Sequence, residues 1–423
     1  MSEFYEAFTI GNKNEAAIVT FDVGADRLQT DGMGAKENAR GWVEWYKKDA
    51  NLTPDNIIRT LFSNNINSGI LQTRRDFTMG NGLTLYRHEI VDGKKETVLL
   101  DLNLYPEIKE FFAVSDINSL LRKATLDLLY FGNAFVEFIY NRGKTIDSIH
   151  HHDASTVRSG IMKNGFVDKF FVCDEWTKPV LNEQNLSEGN VFIISGYNKK
   201  YPEKSFPKAI MHLKGYTPGF PYYPMPDWYG AINWIRLANE IPLWHLSGIQ
   251  NGYNIRWHIE VPMSYFEQFP KEKREDAKAK LRKEMNEWLA GSENVGKAFV
   301  SYVKQNGLEA DKWKISPLEA KLNDEAFTIL FEQSNMAMTS AHGLHPTLAA
   351  VETQGKLSSG SEMRNAYLVY MALKTKNTRA ILLEPLYEIK KINQWPDEVQ
   401  FGFEDIEITK LDTNPNGSQT VMS

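Results

Sequence analysis

The segment from Asp227 to Asn251, DWYGAINWIRLANEIPLWHLSGIQN, decides the fold. Its apolar residues recur at helical spacing, which predicts one long helix. They form two stripes: Trp228, Ile232, Ile235, Leu246 and Ile249 lie on one, and Trp234, Leu237, Ile241 and Trp244 lie on the other. Because a helix that is apolar on two faces must be buried on both, we expect a neighbour on each side of it. Pro242 predicts a kink or a break inside this helix.

The chain upstream of this helix, residues 1–226, has the pattern of an α+β domain. A helix is predicted to start at Thr53-Pro54, where an N-cap residue precedes a proline at the first helical position. A later helix ends at Gly132-Asn133, and the β-prone run Ala134 to Tyr140 follows directly. Short strand candidates then alternate with Gly, Asn, Pro and Ser clusters, up to a proline-rich extended connector at 220–226.

Downstream, residues 253–318 predict a small subdomain with two strand regions and a highly charged helix, Lys271 to Leu289. This helix is locally basic, with 7 Lys and Arg against 4 Asp and Glu between Lys271 and Glu284. A second long amphipathic helix covers about Asp324 to His342, so two long helices bracket the subdomain. The Gly-, Pro- and Ser-rich segment 343–361 predicts a loop, and a final helix runs from about 361 to 391, bent at Pro385.

Composition narrows the classes of protein that this chain can be. Its 423 residues are 42% hydrophobic and 24% charged, which predicts a folded chain with two or three cores. A net charge of −6 excludes a surface that coats DNA tightly. A single cysteine, Cys173, excludes a disulfide framework or a multi-thiolate metal site and fits a reducing cytoplasm. We also expect no signal peptide and no membrane span.

Enzyme motifs are few in this sequence. The phosphate-binding loop, the dinucleotide-binding glycine pattern, GxSxG and HExxH are all missing, so we predict a protein that is not an enzyme and needs no cofactor. The remaining enzyme-like feature is His150-His151-His152-Asp153, whose side chains are ordinary metal ligands. Consecutive side chains on an extended segment point to alternate faces, so at most two of these histidines could converge. A metal-dependent enzyme using them stays open as an alternative, although we predict neither a catalytic nor a metal site.

Several motifs follow one another in a fixed order over about residues 54–395. The first is a helix-to-strand step with a tyrosine followed by Gly-Asn-Ala-aromatic, and the last opens a helix that ends near Glu384-Pro385. The motifs are Tyr130-Phe131-Gly132-Asn133-Ala134-Phe135-Val136-Glu137, Ile210-Met211-His212, Pro226-Asp227-Trp228-Tyr229-Gly230-Ala231, Asn251-Gly252, the helical region 323–342, His345-Pro346, and Leu357-Ser358-Ser359-Gly360-Ser361-Glu362. In type and order they resemble the motifs of portal proteins of tailed bacteriophages.

The resemblance implies an α+β portal fold and a ring, usually of twelve subunits, at one vertex of the phage head. Double-stranded DNA is packaged and later ejected through such a ring, which assembles in the host bacterial cytoplasm and ends in the virion. Carried over to this sequence, the family's parts are an N-terminal wing at 1–226, stem helices at 227–252 and 319–342, a small α/β clip at 253–318, a tunnel loop at 343–360, and a long wing helix with a short tail at 361–423.

The resemblance also implies site residues and partners. Besides neighbouring copies of itself and DNA, the implied partners are the terminase large subunit, the major capsid and scaffold proteins, and a head-completion adaptor, but no membrane. Tunnel-loop residues facing the DNA are Thr353, Gln354, Gly355, Lys356, Leu357, Ser358 and Ser359. Clip residues that dock the motor or adaptor are Lys271, Lys273, Arg274 and Lys278. Residues packing between neighbouring stems are Trp228, Ile232, Trp234, Ile241, Trp244, Phe327 and Phe331. A structural subunit of a phage head or tail that forms no channel is the other alternative.

Overall fold

The computed structural model describes residues 41–46, 51–163, 165–181, 189–251, 255–289, 297–303, 313–317, 324–351 and 360–406. It confirms the α+β class, with helices packed on mixed and antiparallel sheets. The first part of the chain contains α1 (Thr53–Phe62), α2 (Asn65–Met79), β1 (Gly82–Val91), β2 (Lys94–Leu100), α3 (Pro106–Val114), α4 (Ile117–Phe131), β3 (Asn133–Tyr140), β4 (Ile146–His152), β5 (Val157–Ser159), β6 (Met162–Lys163), β7 (Phe166–Val167), β8 (Lys169–Cys173), β9 (Val191–Gly196) and β10 (Lys208–Lys214).

A six-stranded sheet in the order β4-β3-β10-β9-β8-β5 forms the centre of this part. Its neighbouring strands are antiparallel except for the pair β9 and β10, which is parallel. Strand β3 is buried along nearly its whole length, because Ala134, Val136 and Phe138 face one hydrophobic core and Phe135 faces another. Burial on both faces explains why its sequence, NAFVEFIY, has apolar residues at successive positions rather than in strict alternation with polar ones.

Two long helices leave this main body. A 3-10 turn at Asp227–Ala231 precedes α5 (Ile232–Asn251), and the second helix is α7 (Asp324–Ala341). We call α5 and α7 the helix pair, because they pack side by side. The predicted break at Pro242 does not occur, since α5 continues through this residue.

The small domain between the two long helices contains β11 (Ile255–Pro262), α6 (Arg274–Leu289), β12 (Lys297–Val303) and β13 (Lys314–Pro317). Its sheet has the order β12-β11-β13, with β11 parallel to β12 and antiparallel to β13. The predicted charged helix is present, but its first three residues, Lys271–Lys273, form a 3-10 turn. Pro270 occupies the cap position before this turn.

The final helical region is α8 (Gly360–Tyr370), a π-helical stretch at Met371–Thr375, and α9 (Lys376–Asn393). The irregularity therefore lies at the π-helical stretch, whereas Pro385 sits inside a continuous α9. The sequence analysis missed a strand that follows, β14 (Gln400–Glu404). This strand pairs antiparallel with β1, in a second sheet of the order β14-β1-β2.

Candidate functional site

The Gly132-Asn133 step joins the central sheet to the connector before the helix pair. Gly132 ends α4 with a φ of +72°, and a Cβ there would lie 2.8 Å from the carbonyl oxygen of Pro224. The Asn133 amide donates hydrogen bonds to the carbonyls of Phe131 (2.7 Å) and Pro224 (2.9 Å), and its Oδ1 accepts one from His212 Nε2 at 2.9 Å. Glycine is required here because the left-handed backbone and the close approach both exclude a side chain.

Trp228 locks the start of the helix pair into the main body. Its ring is fully buried in the core, and its Nε1 donates a 2.7 Å hydrogen bond to the carbonyl of Leu129. It therefore has no surface left for a neighbouring subunit, which corrects its predicted role in packing between stems. Ile241 is also buried within the chain. Residues from three separate motifs of the sequence, Asn133, His212 and Trp228, thus meet at or beside one junction.

A buried polar cluster lies next to this junction, and we call it the Arg74 hub. The Arg74 guanidinium donates to both carboxylate oxygens of Asp227, at 3.0 and 2.7 Å, and to the Tyr370 hydroxyl at 3.1 Å. A further contact at 2.8 Å reaches Nδ1 of His342, whose Nε2 contacts Oδ1 of Asn67. The hub therefore connects α2, the start of the first long helix, the end of the second, and α8.

The charge state of His342 follows from its partners. A guanidinium only donates hydrogen bonds, so Nδ1 accepts, and the proton of a neutral ring is on Nε2 and is donated to Asn67. Burial and the neighbouring Arg74 charge lower the pKa of His342 to about 3. Burial alone would raise the pKa of Asp227, but the Arg74 charge lowers it below its usual value. The hub thus holds one ion pair and one neutral imidazole at neutral pH.

The helix pair keeps part of its apolar surface exposed. Trp234 and Trp244 are 39% and 42% exposed, and both belong to the second stripe of the sequence. Trp244 also stacks on Phe327 of α7, with ring centroids 4.4 Å apart. The remaining predicted stem residues, Ile232 and Phe331, are half-buried. Leu243, Leu246, Ile329 and Met336 are further exposed apolar residues of the pair. Such a surface is typical of an interface with another chain.

The basic residues of the small domain differ in their surroundings. Lys271 and Lys273 are exposed. Arg274 instead donates to the carbonyl of Phe269 at 3.1 Å, and Lys278 pairs with Glu275 at 2.6 Å. Two of the four predicted docking residues therefore make contacts inside the domain, which leaves Lys271 and Lys273 as the more accessible cations of the four.

The predicted DNA-facing residues, Thr353 to Ser359, lie outside the described residues. The structure does describe both flanks. His345 Nε2 and Glu362 Oε1 are 3.7 Å apart, and His342 and Tyr370 both contact the Arg74 guanidinium. The two ends of this segment therefore lie side by side.

The three consecutive histidines do not converge. His151 Nε2 is 2.8 Å from Asp127, His152 Nε2 is 3.0 Å from Glu137, and His150 contacts the Ser148 hydroxyl at 3.1 Å. Burial raises the pKa of Asp127 to about 6, against the effect of its hydrogen bond with His151. Within the described ranges, no group of three or more His, Cys, Asp and Glu side chains is arranged to hold a metal ion. These contacts do not favour the metal-dependent alternative.

None of the helices in the described part of the chain has the length and apolar character needed to span a bilayer.

Comparisons with known proteins find similarity in structure only. No family model and no curated protein sequence match the chain. A chain in the neck of an empty GTA particle, computed with C6 symmetry, matches 86% of this chain and 85% of its own length, with 13% identity and a TM-score of 0.53. A chain in the neck of a native GTA particle, computed with C12 symmetry, matches over 82% of each chain, with 13% identity and a TM-score of 0.51. A chain in the virion of a native gene transfer agent particle matches with a TM-score of 0.50, at 13% identity and over 82% of each chain.

At 13% identity, these matches show a shared fold. This fold is one found in the necks of gene transfer agent particles.

The Arg74 hub is the feature that sequence reasoning missed. Asp227, His342 and Tyr370 are separated from Arg74 by 153 to 296 residues, so no local pattern connects them to it. Asp227 and His342 were visible only as parts of other motifs, and Arg74 gave no signal beyond its place in a helix.

Proposed function

We propose that this chain is a portal subunit, which forms a ring-shaped channel for double-stranded DNA at the head-to-tail junction of a phage-like particle. The observation that carries the proposal is the fold shared with neck chains over most of both lengths, including one solved with C12 symmetry. In this assignment the helix pair is the stem, the small domain is the clip, and the main body is the wing.

The exposed apolar residues of the helix pair support ring formation. In a ring with head-to-tail contacts, each subunit has one neighbour on each side, so each stem is covered twice by different surfaces. Trp234 and Trp244 provide large apolar areas for one of these contacts. Aromatic residues are enriched in the buried centres of such interfaces.

Electrostatics supports a channel in which DNA slides. Each phosphate that a protein neutralises adds salt-dependent affinity, and a ring multiplies every contact by its number of subunits. A chain with a net charge of −6 limits that affinity. In this proposal Thr353 to Ser359 form the tunnel loop and narrow the channel, with Lys356 as its cation.

The experiment that tests the proposal is negative-stain electron microscopy of the purified chain together with a solution mass measurement. We expect rings with a central hole and a mass of about 580 kDa, which corresponds to twelve chains of 48.5 kDa. Ring-free particles that persist after scaffold and capsid proteins are added would contradict it. Closed assemblies without a central hole would instead favour the alternative, a neck subunit that forms no channel.

Docking of the packaging motor or an adaptor on the clip is tested separately. We expect the double variant Lys271→Glu and Lys273→Glu to bind the terminase large subunit more weakly in a pull-down, because both side chains are exposed cations. Lys94→Glu with Lys95→Glu, which reverses two exposed charges at the start of β2, is the matched control. Ring formation should be normal in both variants, and equal binding by both would contradict docking at this site.

A further inference from the structure

A cavity of about 780 Å³ opens on the main body. The β6–β7 hairpin, strand β10 and the segment 197–204 line it. Its volume falls within the range of about 300–1,000 Å³ that is typical of small-molecule sites. Neither the fold comparison nor the proposed channel gives this cavity a role.

The charge of the cavity is its first distinguishing feature. Among the described residues, no aspartate or glutamate lines it and five lysines do: Lys163, Lys199, Lys200, Lys204 and Lys214. In a chain with a net charge of −6, this is a local excess of positive charge. Clustered cations repel one another, so an anion bound among them is stabilised by several at once.

Most of these cations have only weak counter-ions or none. Lys163 is 3.7 Å from Asp168, and the exposed Lys199 pairs with Glu384 at 2.8 Å. For the other three lysines, no carboxylate of a described residue lies within ion-pair distance. The ammonium groups of Lys200 and Lys204 lie over the ring of Tyr201, at 5.3 and 4.5 Å from its centroid, so both are held at the same part of the rim.

Lys214 is the most buried of the three. Its ammonium donates a 3.2 Å hydrogen bond to the carbonyl of Tyr222 and another to Pro221. Burial lowers the pKa of Lys214 to about 8, because no carboxylate compensates for the lost water. A bound anion would supply that compensation.

The floor of the cavity is apolar and fixed in shape. Phe170 and Ile210 are buried in it, and Met162 and Phe166 are half-buried beside them. The hairpin wall is held against the sheet at Gly196, where a Cβ would collide with the carbonyl oxygen of Val167. The cavity therefore combines a lysine rim with an apolar floor.

We propose that this cavity binds a nucleotide, with its phosphates on the lysine rim and its base against the apolar floor. The volume exceeds what an inorganic phosphate needs, and the floor offers contact area to an aromatic base. The cations that line the cavity among the described residues are lysines and not arginines. An acidic peptide presents planar carboxylates, which usually pair with the forked guanidinium of arginine, whereas the compact ammonium of lysine suits phosphates. The same chemistry is found in a free nucleoside triphosphate and at the end of a single-stranded DNA.

The test is isothermal titration calorimetry of the purified full-length chain with ATP, with tripolyphosphate and with an eight-residue thymidine oligonucleotide. The variant is Lys200→Ala with Lys204→Ala, and both side chains are exposed, so the fold should be kept. The control is Lys94→Ala with Lys95→Ala, which removes two exposed lysines from the start of β2 and changes the net charge equally.

We expect one ATP site per chain and a higher affinity for ATP than for tripolyphosphate. Compared with wild type, the variant with Lys200→Ala and Lys204→Ala should bind ATP at least about tenfold more weakly, whereas the control variant should bind it equally well. Tighter binding of the oligonucleotide than of ATP would identify a DNA strand as the ligand, and the reverse order a free nucleotide. Absence of binding up to millimolar ATP, tripolyphosphate binding as tight as that of ATP, or equal losses in both variants would overturn the proposal. The channel proposal is unaffected by any of these outcomes, because its own test is ring formation.

Discussion

Replacing Trp234 with alanine should weaken the proposed ring without unfolding the chain. The side chain is 39% exposed, and a tryptophan presents up to about 250 Å² in total, so roughly 100 Å² is free for a neighbour. At about 25 cal/mol per Å², burial of this area stabilises each contact between subunits by about 2.5 kcal/mol. This free energy corresponds to an association constant that is about 70-fold lower in the variant.

The assay is mass photometry over a dilution series, which gives the concentration at which half of the chains leave the ring. Because a closed ring has one such contact per chain, this midpoint should rise about 70-fold in Trp234→Ala. Urea unfolding of both proteins reports the packing that is lost within the protomer. Tyr216→Ala, at an 87% exposed aromatic residue outside the helix pair, is the control and should leave the midpoint unchanged. A folded Trp234→Ala protein with an unchanged midpoint would refute the stem-to-stem interface.

Three further predictions concern the junction and the hub. Arg74→Met should lower the free energy of unfolding by about 2–4 kcal/mol in urea titrations, because Asp227 and His342 lose a buried partner. The loss should be smaller than for a fully buried ion pair, because the Asp227 side chain is half-exposed. In Gly132→Ala, strain at φ +72° and the collision with Pro224 should cost about 2–3 kcal/mol by the same measurement. The pKa of His342 is about 3 in the folded chain and 6.5 in the unfolded one, so His342 takes up a proton on unfolding and acid destabilises the native state. As the pH falls from 6.5 to 4, the free energy of unfolding of wild type should therefore decrease, relative to that of His342→Gln, by up to about 1.4 kcal/mol per pH unit.

Neighbouring residues provide the controls for these variants. Arg75→Met should change the free energy of unfolding by no more than about 0.5 kcal/mol, because Arg75 pairs only with the exposed Asp76 among the described residues. Gly69→Ala should stabilise α2 by up to about 1 kcal/mol, since a Cβ there meets nothing within 4 Å. Equal losses in Arg74→Met and Arg75→Met, or parallel pH profiles for wild type and His342→Gln, would contradict the description of the hub.

Periodicity predicted the elements that bury a regular face. Both long helices, the charged helix between them and strand β3 lie where the apolar pattern places them, because part of the apolar face of each packs in a hydrophobic core. The end of α4 at Gly132 was also predicted from the local pattern, because the helical periodicity stops there and a β-prone run follows. The extended connector at 220–226 followed from the fixed φ of proline.

Contacts between distant parts of the chain were not predictable from local patterns. Strand β14 is a five-residue run with few apolar positions, and its pairing with β1 spans more than three hundred residues of sequence. Thr53 was expected to cap α1, but its hydroxyl donates to the carbonyl of Trp45, and Leu52 occupies the cap position instead. In these cases a tertiary partner outweighed the local preference.

The Arg74 hub also holds together the two flanks of residues 352–359. His342 and Tyr370 bind the same guanidinium, so side chains tie the residue that follows α7 to the last residue of α8. The entropy of closing a loop grows slowly with its length, by only about 0.6 kcal/mol for each doubling. Insertions or deletions within 352–359, which the sequence predicts to be part of a loop, can therefore accumulate during evolution at little thermodynamic cost, while the geometry of the surrounding helices stays unchanged.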